Sequence, residues 1–504
     1  MSPIFKKYKN MKKNIFNVAL LLLLAFVAGA CSDSDTTKKV DNGRRSGAAT
    51  QLIVLDNAEN ELSNLSFSLG ASNYIVGINC DGDWTATVDA DWVKLSNYAG
   101  YGFTNKNSYT RVSVDKNLGE QRTATLTVKS GNITRTVTIT QKGSSKDPGD
   151  NFMSAFEFVE EMKMGYNLGN TLDCNPDITD PSTASWFKPT SDLDWETVWG
   201  QPKTTQEIIN AIAEKGFNVI RVPVTWYPHM DADGNVNEVW MTRVQEVVDY
   251  VINAGCYCIL NVQHDSGTRG GRTDGAGWLQ ASETEYAQTS VKFKKLWTQI
   301  ATRFRDYDDK LLFEAFNEIL DNADTWGDPA DASAYSAITK LEQDFVDAVR
   351  ATGGNNEFRN LVVNPYSAGS TPARLAGFQC PNDIHAAHLL ASIHSYDPYW
   401  FCNDGSKEDE NYYINMFDSS CQAEIDAIFQ RIEARFLGEL GMPYFLGEFG
   451  AIGTHPDISE RVKYAKYMKQ KLTQYNTSGL WWMGLYDRKK GEWYEESIAN
   501  ALFQ

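Results

Sequence analysis

The sequence predicts an α/β protein, a (β/α)8 barrel preceded by a small all-β, immunoglobulin-like sandwich. Three observations predict it. From residue 151 onward, eight short apolar runs alternate with amphipathic helical stretches. Residues 51–142 alternate with a period of two. Between them, residues 143–150 form a small, polar break containing Pro and Gly. A chain of 504 residues has room for both units, because a barrel takes about 250 residues and a sandwich about 100.

The N-terminal segment is a targeting signal, to be set apart from the fold. Met11-Lys12-Lys13 gives a basic start and Val18–Val27 an apolar run too short to span a membrane. The run ends in Ala28-Gly29-Ala30-Cys31, which resembles a bacterial lipobox. That resemblance implies removal of residues 1–30 and lipidation of Cys31. Ordinary secretion is the alternative. Ser32-Asp33-Ser34-Asp35 is similar to the acidic export signal of some Gram-negative lipoproteins, implying the cell surface or outer membrane. Residues 31–50 are expected to be a flexible tether. Setting Cys31 aside leaves seven of the 8 Cys, an odd and scattered set that is no disulfide framework. Cys256 and Cys258 alternate along one strand and read as core.

In the first unit, Thr85–Val88, Arg111–Val114, Ala124–Val128 and Thr136–Thr140 read as strands, and Ser130-Gly131-Asn132 as a hairpin turn. Trp84, Trp92-Val93, Asn117, Arg122-Thr123-Ala124 and Thr140-Gln141-Lys142-Gly143 resemble the BACON domain of bacterial carbohydrate-active proteins. Trp84 and Trp92 read as core or hairpin anchors. The unit holds no titratable constellation, so it is a weak glycan binder or a spacer.

The eight barrel strands are expected at Met164–Leu168, Phe217–Val224, Cys256–Val262, Leu311–Phe316, Leu361–Val363, Leu389–His394, Tyr444–Leu446 and Leu480–Trp482. Helical patterns lie between them, at Thr205–Lys215, Thr242–Ala254, Val291–Phe304, Leu341–Val349, Ile425–Phe436 and Val462–Leu472. A barrel does its chemistry where its strands end. Those ends supply Asn167 and Asn170, Gln263-His264-Asp265, Asn317-Glu318, His394 and Tyr396, Glu448 and Trp482, and the second strand contains Arg221.

Glu318 and Glu448 end the fourth and seventh strands. Two carboxyl groups facing across a pocket are what glycoside hydrolysis needs, one to protonate the leaving oxygen and one to attack or to activate water. Salt bridges to a barrel Arg are the competing reading. The formal net charge of −18 argues against nucleic acid, anionic membrane or acidic polysaccharide as main partner. The 14 Trp suit stacking on neutral sugar rings.

Leu312–Glu318 (LFEAFNE) and Pro443–Gly450 (PYFLGEFG) resemble the two signature strands of glycoside hydrolase family 5. Gly165–Asp173, Phe217–Trp226 and Ile393–Tyr399 are similar to its first, second and sixth strands. The resemblance runs over residues 151–504. It implies a retaining endo-β-1,4-glucanase acting on cellulose, mixed-linkage glucan or xyloglucan. The sequence carries no metal signature, dinucleotide fingerprint or phosphate loop, so no cofactor and no metal are expected. The resemblance implies Glu318 as acid/base and Glu448 as nucleophile. Asn317 would bind the 2-hydroxyl, Arg221 and Tyr396 would pair with Glu448, His394 would sit beside Glu318, and Trp482 would carry a sugar ring. Asn170 and His264 complete the expected substrate-binding set. The family's third strand usually ends Asn-x-His-His, whereas this one reads Asn261-Val262-Gln263-His264. Ile319 stands where Pro commonly follows the catalytic Glu, and Met483-Gly484 where relatives often have Asp and Asn. Asp231–Asn235 reads as a turn rather than a calcium loop. Two alternatives stay open, an endo-β-mannanase and a surface glycan-binding protein with a weakened active site. The expected partner is a neutral plant β-glycan, the only membrane link the lipid, and the chain a monomer.

Overall fold

The computed structural model describes residues 44–56, 59–67, 72–115, 117, 119–141, 150–403, 412–451 and 456–504. The lipobox, Cys31 and all but the last residue of the expected linker lie outside them.

The first unit is a two-sheet sandwich. One sheet has the order 64–67, 133–141, 122–130, 84–88, 99–100, and the other 52–55, 72–80, 108–114, 93–95. Inward positions of both sheets form a dry core that includes Val76, Leu126 and Val137. Trp84 belongs to it at 2% exposure. Trp92 packs at the edge, with the Arg122 guanidinium 4.3 Å from its ring centre. The hairpin turn stands where expected, because Gly131 adopts φ +55° between the paired Ser130 and Ile133. One expectation is corrected. Arg44–Arg45 pairs with Gly102–Phe103, and the Gly47 and Thr50 amides donate to Asp83 and Asp81. Residues 44–50 are therefore docked on the sandwich rather than part of a free tether.

The second unit is a closed, parallel, eight-stranded barrel. Its strands are β1 (Gly165–Asn167), β2 (Val219–Val222), β3 (Tyr257–Asn261), β4 (Leu311–Glu314), β5 (Leu361–Val363), β6 (Leu389–Ser395), β7 (Tyr444–Phe449) and β8 (Gly479–Trp482). All eight fall within or around the runs read from the sequence. Helix α1 (Ala155–Glu161) precedes the barrel, held by a capping box between Ser154 and Glu157. Outer helices include α2 (Gln206–Glu214), α3 (Glu238–Asn253), α4 (Tyr286–Arg303), α5 (Ser333–Ala351), α6 (Ser419–Glu433) and α7 (Ile458–Gln474). Their apolar faces and the outward strand positions make the larger core, which also holds Cys256 and Cys258.

A strand turns alternate residues to opposite faces, and that rule builds the barrel's interior. Val219, Ile259, Leu312, Val362, Leu390, Phe445 and Leu480, one from each of β2 to β8, pack with Ala155, Phe158 and Val159 of α1. Helix α1 thus plugs the base. β1 contributes Gly165, where a Cβ would stand 2.3 Å from Leu480 Cγ. Two residues further along the same strands come Asn167, Arg221, Asn261, Glu314, Asn364, Ser392 and Trp482. The floor is apolar and the next layer is polar.

β7 breaks the alternation. Leu446 pairs with Ile393, but the next partner of β6, His394, pairs with Glu448. Against β8, Leu446 faces Gly479 and Phe449 faces Trp481. β7 therefore carries one extra residue, a bulge. Both Gly447 and Glu448 lie toward the interior there. A Cβ on Gly447 would fall 2.0 Å from Ser392 Oγ and 3.2 Å from His394 Nε2, so the position has room only for glycine.

Candidate active site

The polar layer centres on Arg221, which is fully buried. Its Nε donates to Glu314 Oε2 at 2.6 Å, and its Nη1 to Glu448 Oε1 at 2.8 Å and Asn167 Oδ1 at 3.0 Å. Nη2 donates to Asn317 Oδ1 at 2.9 Å. Burial pulls the pKa of Arg221 down, but Glu314 and Glu448 outweigh that and leave it raised. Glu314 is also buried, and its second oxygen accepts from Asn364 Nδ2 at 3.1 Å. One guanidinium thus ties together β1, β2, β4 and β7. Unpaired charges at this depth would cost several kcal/mol each.

Above this layer sit the two candidate acids. Glu448 Oε2 accepts from the Tyr396 hydroxyl at 2.8 Å. Glu318 Oε1 is 2.9 Å from His394 Nδ1, and the same nitrogen is 3.7 Å from Glu448 Oε2. Burial lowers the His394 pKa, but the field of Glu448 and the bond to Glu318 reverse this and raise it. Burial, joined by Glu448 and Glu318, raises the Tyr396 phenol well above its usual value, which keeps it a donor. The Glu318 side chain is 20% exposed and that of Glu448 only 5%. One acid faces the mouth and the other is walled in.

The nearest ligating atoms of Glu318, His394 and Glu448 all lie within 4.8 Å of one another. An oxygen of Glu318 thus comes within 4.8 Å of one of Glu448, which fits the carboxyl spacing for direct attack on a sugar, about 5–5.5 Å, better than the roughly 6.5–9.5 Å that leaves room for a water. The same trio has a geometry that a cation could share. Both oxygens of Glu448 and Oε1 of Glu318 are already engaged by Arg221, Tyr396 and His394, and Arg221 sets a positive charge beside Glu448.

Trp482, at the end of β8, lies against the Gly169 backbone, where a Cβ would meet its ring at 3.1 Å. It is partly exposed. His264 faces the Trp199 ring edge-on at 5.7 Å, and burial lowers its pKa against the opposing fields of Asp173, Glu318 and Glu448. Gln263 is buried and accepts from Asn261 Nδ2 at 2.6 Å, so it braces β3. Asn170 has φ +57°, and Asp173 accepts from its amide at 3.0 Å. That bond shapes the exit of β1, and no contact joins Asn170 to the acid pair among the described residues. Ile319 is buried. Asp231 Oδ1 accepts from the Asn235 amide at 2.8 Å, closing the expected turn.

Reading the sequence missed Glu314, Asn364 and the bracing part of Asn167. Each stands two residues beyond a floor residue of its own strand, a spacing that becomes a signal only once the closed barrel shows which residues form the floor.

A closed barrel whose strand ends bring two acids together in this way is the architecture of glycoside hydrolases. Residues 183–485 match the family model described as cellulase (glycosyl hydrolase family 5), and residues 82–142 match the BACON model, described as a putative binding domain, N-terminal. The chain belongs to glycosyl hydrolase family 5. It is 33% identical over 365 residues to Endoglucanase A of Clostridium longisporum, covering 70% of this chain and 66% of that enzyme, just under two thirds of its length. It is 27% identical over 531 residues to the xyloglucan-specific endo-beta-1,4-glucanase of Bacteroides ovatus, covering 98% of this chain and 96% of that one. Among solved structures, a family 5 enzyme from Prevotella bryantii in complex with a xyloglucan tetradecasaccharide is 39% identical. It superposes with a TM-score of 0.62 over 70% of this chain and 99% of that one.

Proposed function

We propose that the chain is a retaining endo-β-1,4-glucanase of β-glucan backbones, xyloglucan among them. The approach of Glu318 to Glu448 carries the reading. Glu448 accepts hydrogen bonds from a guanidinium and a phenol, the arrangement of an attacking carboxylate. It bonds to the anomeric carbon while Glu318 gives its proton to the departing glycosidic oxygen. The chain beyond that oxygen leaves as an alcohol. Water then enters, Glu318 takes its proton, and the oxygen displaces Glu448 from the anomeric carbon. Configuration is inverted twice and so retained.

Around this centre, Asn317 has its carbonyl fixed by Arg221, so its amide donors are the end left for the sugar's 2-hydroxyl. His394 lies beside Glu318, placed to share the proton that Glu318 gives and regains. Trp482 offers the partly exposed ring on which a glucosyl unit stacks. Support for xyloglucan comes from the Prevotella and Bacteroides relatives, the second of which matches over nearly the whole chain.

The test is product analysis on purified polysaccharides. Oligosaccharides from xyloglucan, mixed-linkage glucan and carboxymethylcellulose, first released as β-anomers, fit the proposal. Release from galactomannan alone would replace it with the mannanase reading. Binding without new reducing ends would replace it with the glycan-binding one.

We further propose that Cys31 carries a lipid holding the enzyme on the cell surface, on the strength of the Ala28–Cys31 pattern. Radiolabelled palmitate should enter the native chain and not the Cys31→Ser variant; equal labelling of both removes the proposal.

A further inference from the structure

A second cavity, of about 680 Å³, lies apart from the acid pair, and none of the side chains that bind Arg221 or Glu318 lines it. It is enclosed by the loop after β3, the start of α4 and the turn at 231–235. Its size suits a sugar-sized ligand. Four cations line it, Arg269, Arg272, Lys292 and Lys295, against two acids, Asp233 and Glu285. That positive excess stands on a chain of net charge −18.

Two of the four cations are matched by carboxylates, and a third donates to a backbone carbonyl. Arg269 Nη2 is 2.6 Å from Glu285 Oε2, and Arg272 Nη2 is 2.5 Å from Asp274 Oδ2. Lys295 donates to the Asp233 carbonyl at 2.7 Å. Lys292 differs. Its ammonium rests 4.0 Å from the centre of the Trp278 ring, and no carboxylate comes within salt-bridge distance of it among the described residues. Trp278 is fixed in turn, since its Nε1 donates to Asp265 Oδ1 at 2.6 Å. A half-buried ammonium on the wall of this cavity, with Asp265 acting on it only from beyond salt-bridge distance, has room for a partner of one negative charge. Trp278, Ala276 and Val291 supply the apolar wall that the C–H face of a pyranose requires.

We propose that this cavity is a subsite for a uronosyl unit, a sugar ring carrying one carboxylate, with Lys292 as the residue that pairs with it. Such a unit would be an acidic branch or neighbour of the neutral backbone that the catalytic cleft takes. The choice of a sugar rests on the glycanase reading. Burial lowers the Lys292 pKa, opposed by Asp265 alone, and an incoming carboxylate would reverse that shift.

The experiment is saturation-transfer NMR with calorimetry on the full chain, using methyl β-D-glucuronide, methyl β-D-glucoside and inorganic phosphate. The glucuronide is expected to bind about tenfold more tightly than the glucoside, one charge-assisted contact's worth. Lys292→Gln should erase that preference and Lys292→Arg keep it, with turnover of unbranched β-glucan unchanged in both. Val291→Asp, at a position 68% exposed, should weaken glucuronide and spare glucoside without touching Lys292. Equal affinity for the two glycosides, a preference that survives Lys292→Gln, or phosphate binding as tightly as glucuronide overturns the proposal. An active enzyme indifferent to glucuronide sinks the subsite alone. An inactive one that prefers it sinks the glycanase reading alone.

Discussion

Arg221 and Glu448 meet at 2.8 Å although β2 and β7 are not neighbours in the barrel. The same guanidinium reaches Glu314, Asn317 and Asn167, so five side chains form one directly bonded cluster. Lysine has the charge but not the planar fork. Arg221→Lys should lower kcat on β-glucan by at least about 10²-fold, because the attacking carboxylate loses its placement. Arg221→Ala should cost about 3–5 kcal/mol in chemical denaturation, because two buried carboxylates lose their cation.

The two acids should separate by leaving group. Glu318→Gln should slow polysaccharide hydrolysis by about 10²–10⁴-fold. On a dinitrophenyl β-cellobioside, whose leaving group needs no proton, it should still release a burst of phenolate. Glu448→Gln should abolish turnover of both substrates. Stopped-flow absorbance distinguishes the outcomes.

His394 sets a pH dependence of stability. Its folded pKa is raised above the free value of 6.5, so the folded state holds the proton more tightly than the unfolded chain. The stabilisation is fully present below pH 6.5 and is lost as pH rises through the folded value. Glu318, Glu448 and Arg221 are the charged groups that act on it. The Tm difference between wild type and His394→Asn should be largest in mild acid and should shrink at higher pH. A difference that does not vary with pH would exclude the linkage.

Gly447→Ala tests the crowding beneath Glu448. The added methyl would stand 2.0 Å from Ser392 Oγ, on a strand that has no room to retreat. Overpacking of this kind costs about 1–3 kcal/mol. The variant should also lose kcat, because the next residue is the attacking acid. Ser392→Ala in the same chain should restore part of both losses.

Much of this was legible in the residues. Each barrel strand betrayed itself by an apolar run, and each rim residue by its place after one. Asn317 and Glu318 followed from that rule, whereas Arg221 stands inside its run and drew its role from the family resemblance. Glu314 and Asn364 followed from neither, because a strand read as one apolar block hides which of its positions face inward. Closing the barrel separates floor from wall. Residues 44–50 were misread for a different reason. A short polar stretch carries no hydrophobic pattern, yet its backbone amides found Asp81 and Asp83. Lys292 was invisible for a third reason, since a lysine on a helix is ordinary until a tryptophan from a distant loop lies beneath it.

The bulge in β7 acts as a change of parity. Below it the odd-numbered Phe445 points inward, and above it the even-numbered Glu448 does. In an unbroken ladder Glu448 would turn toward the surrounding helices, and the barrel would fold with only one of its acids inside. A single-residue deletion in this strand therefore keeps Glu448 inward only if it takes out the bulge itself.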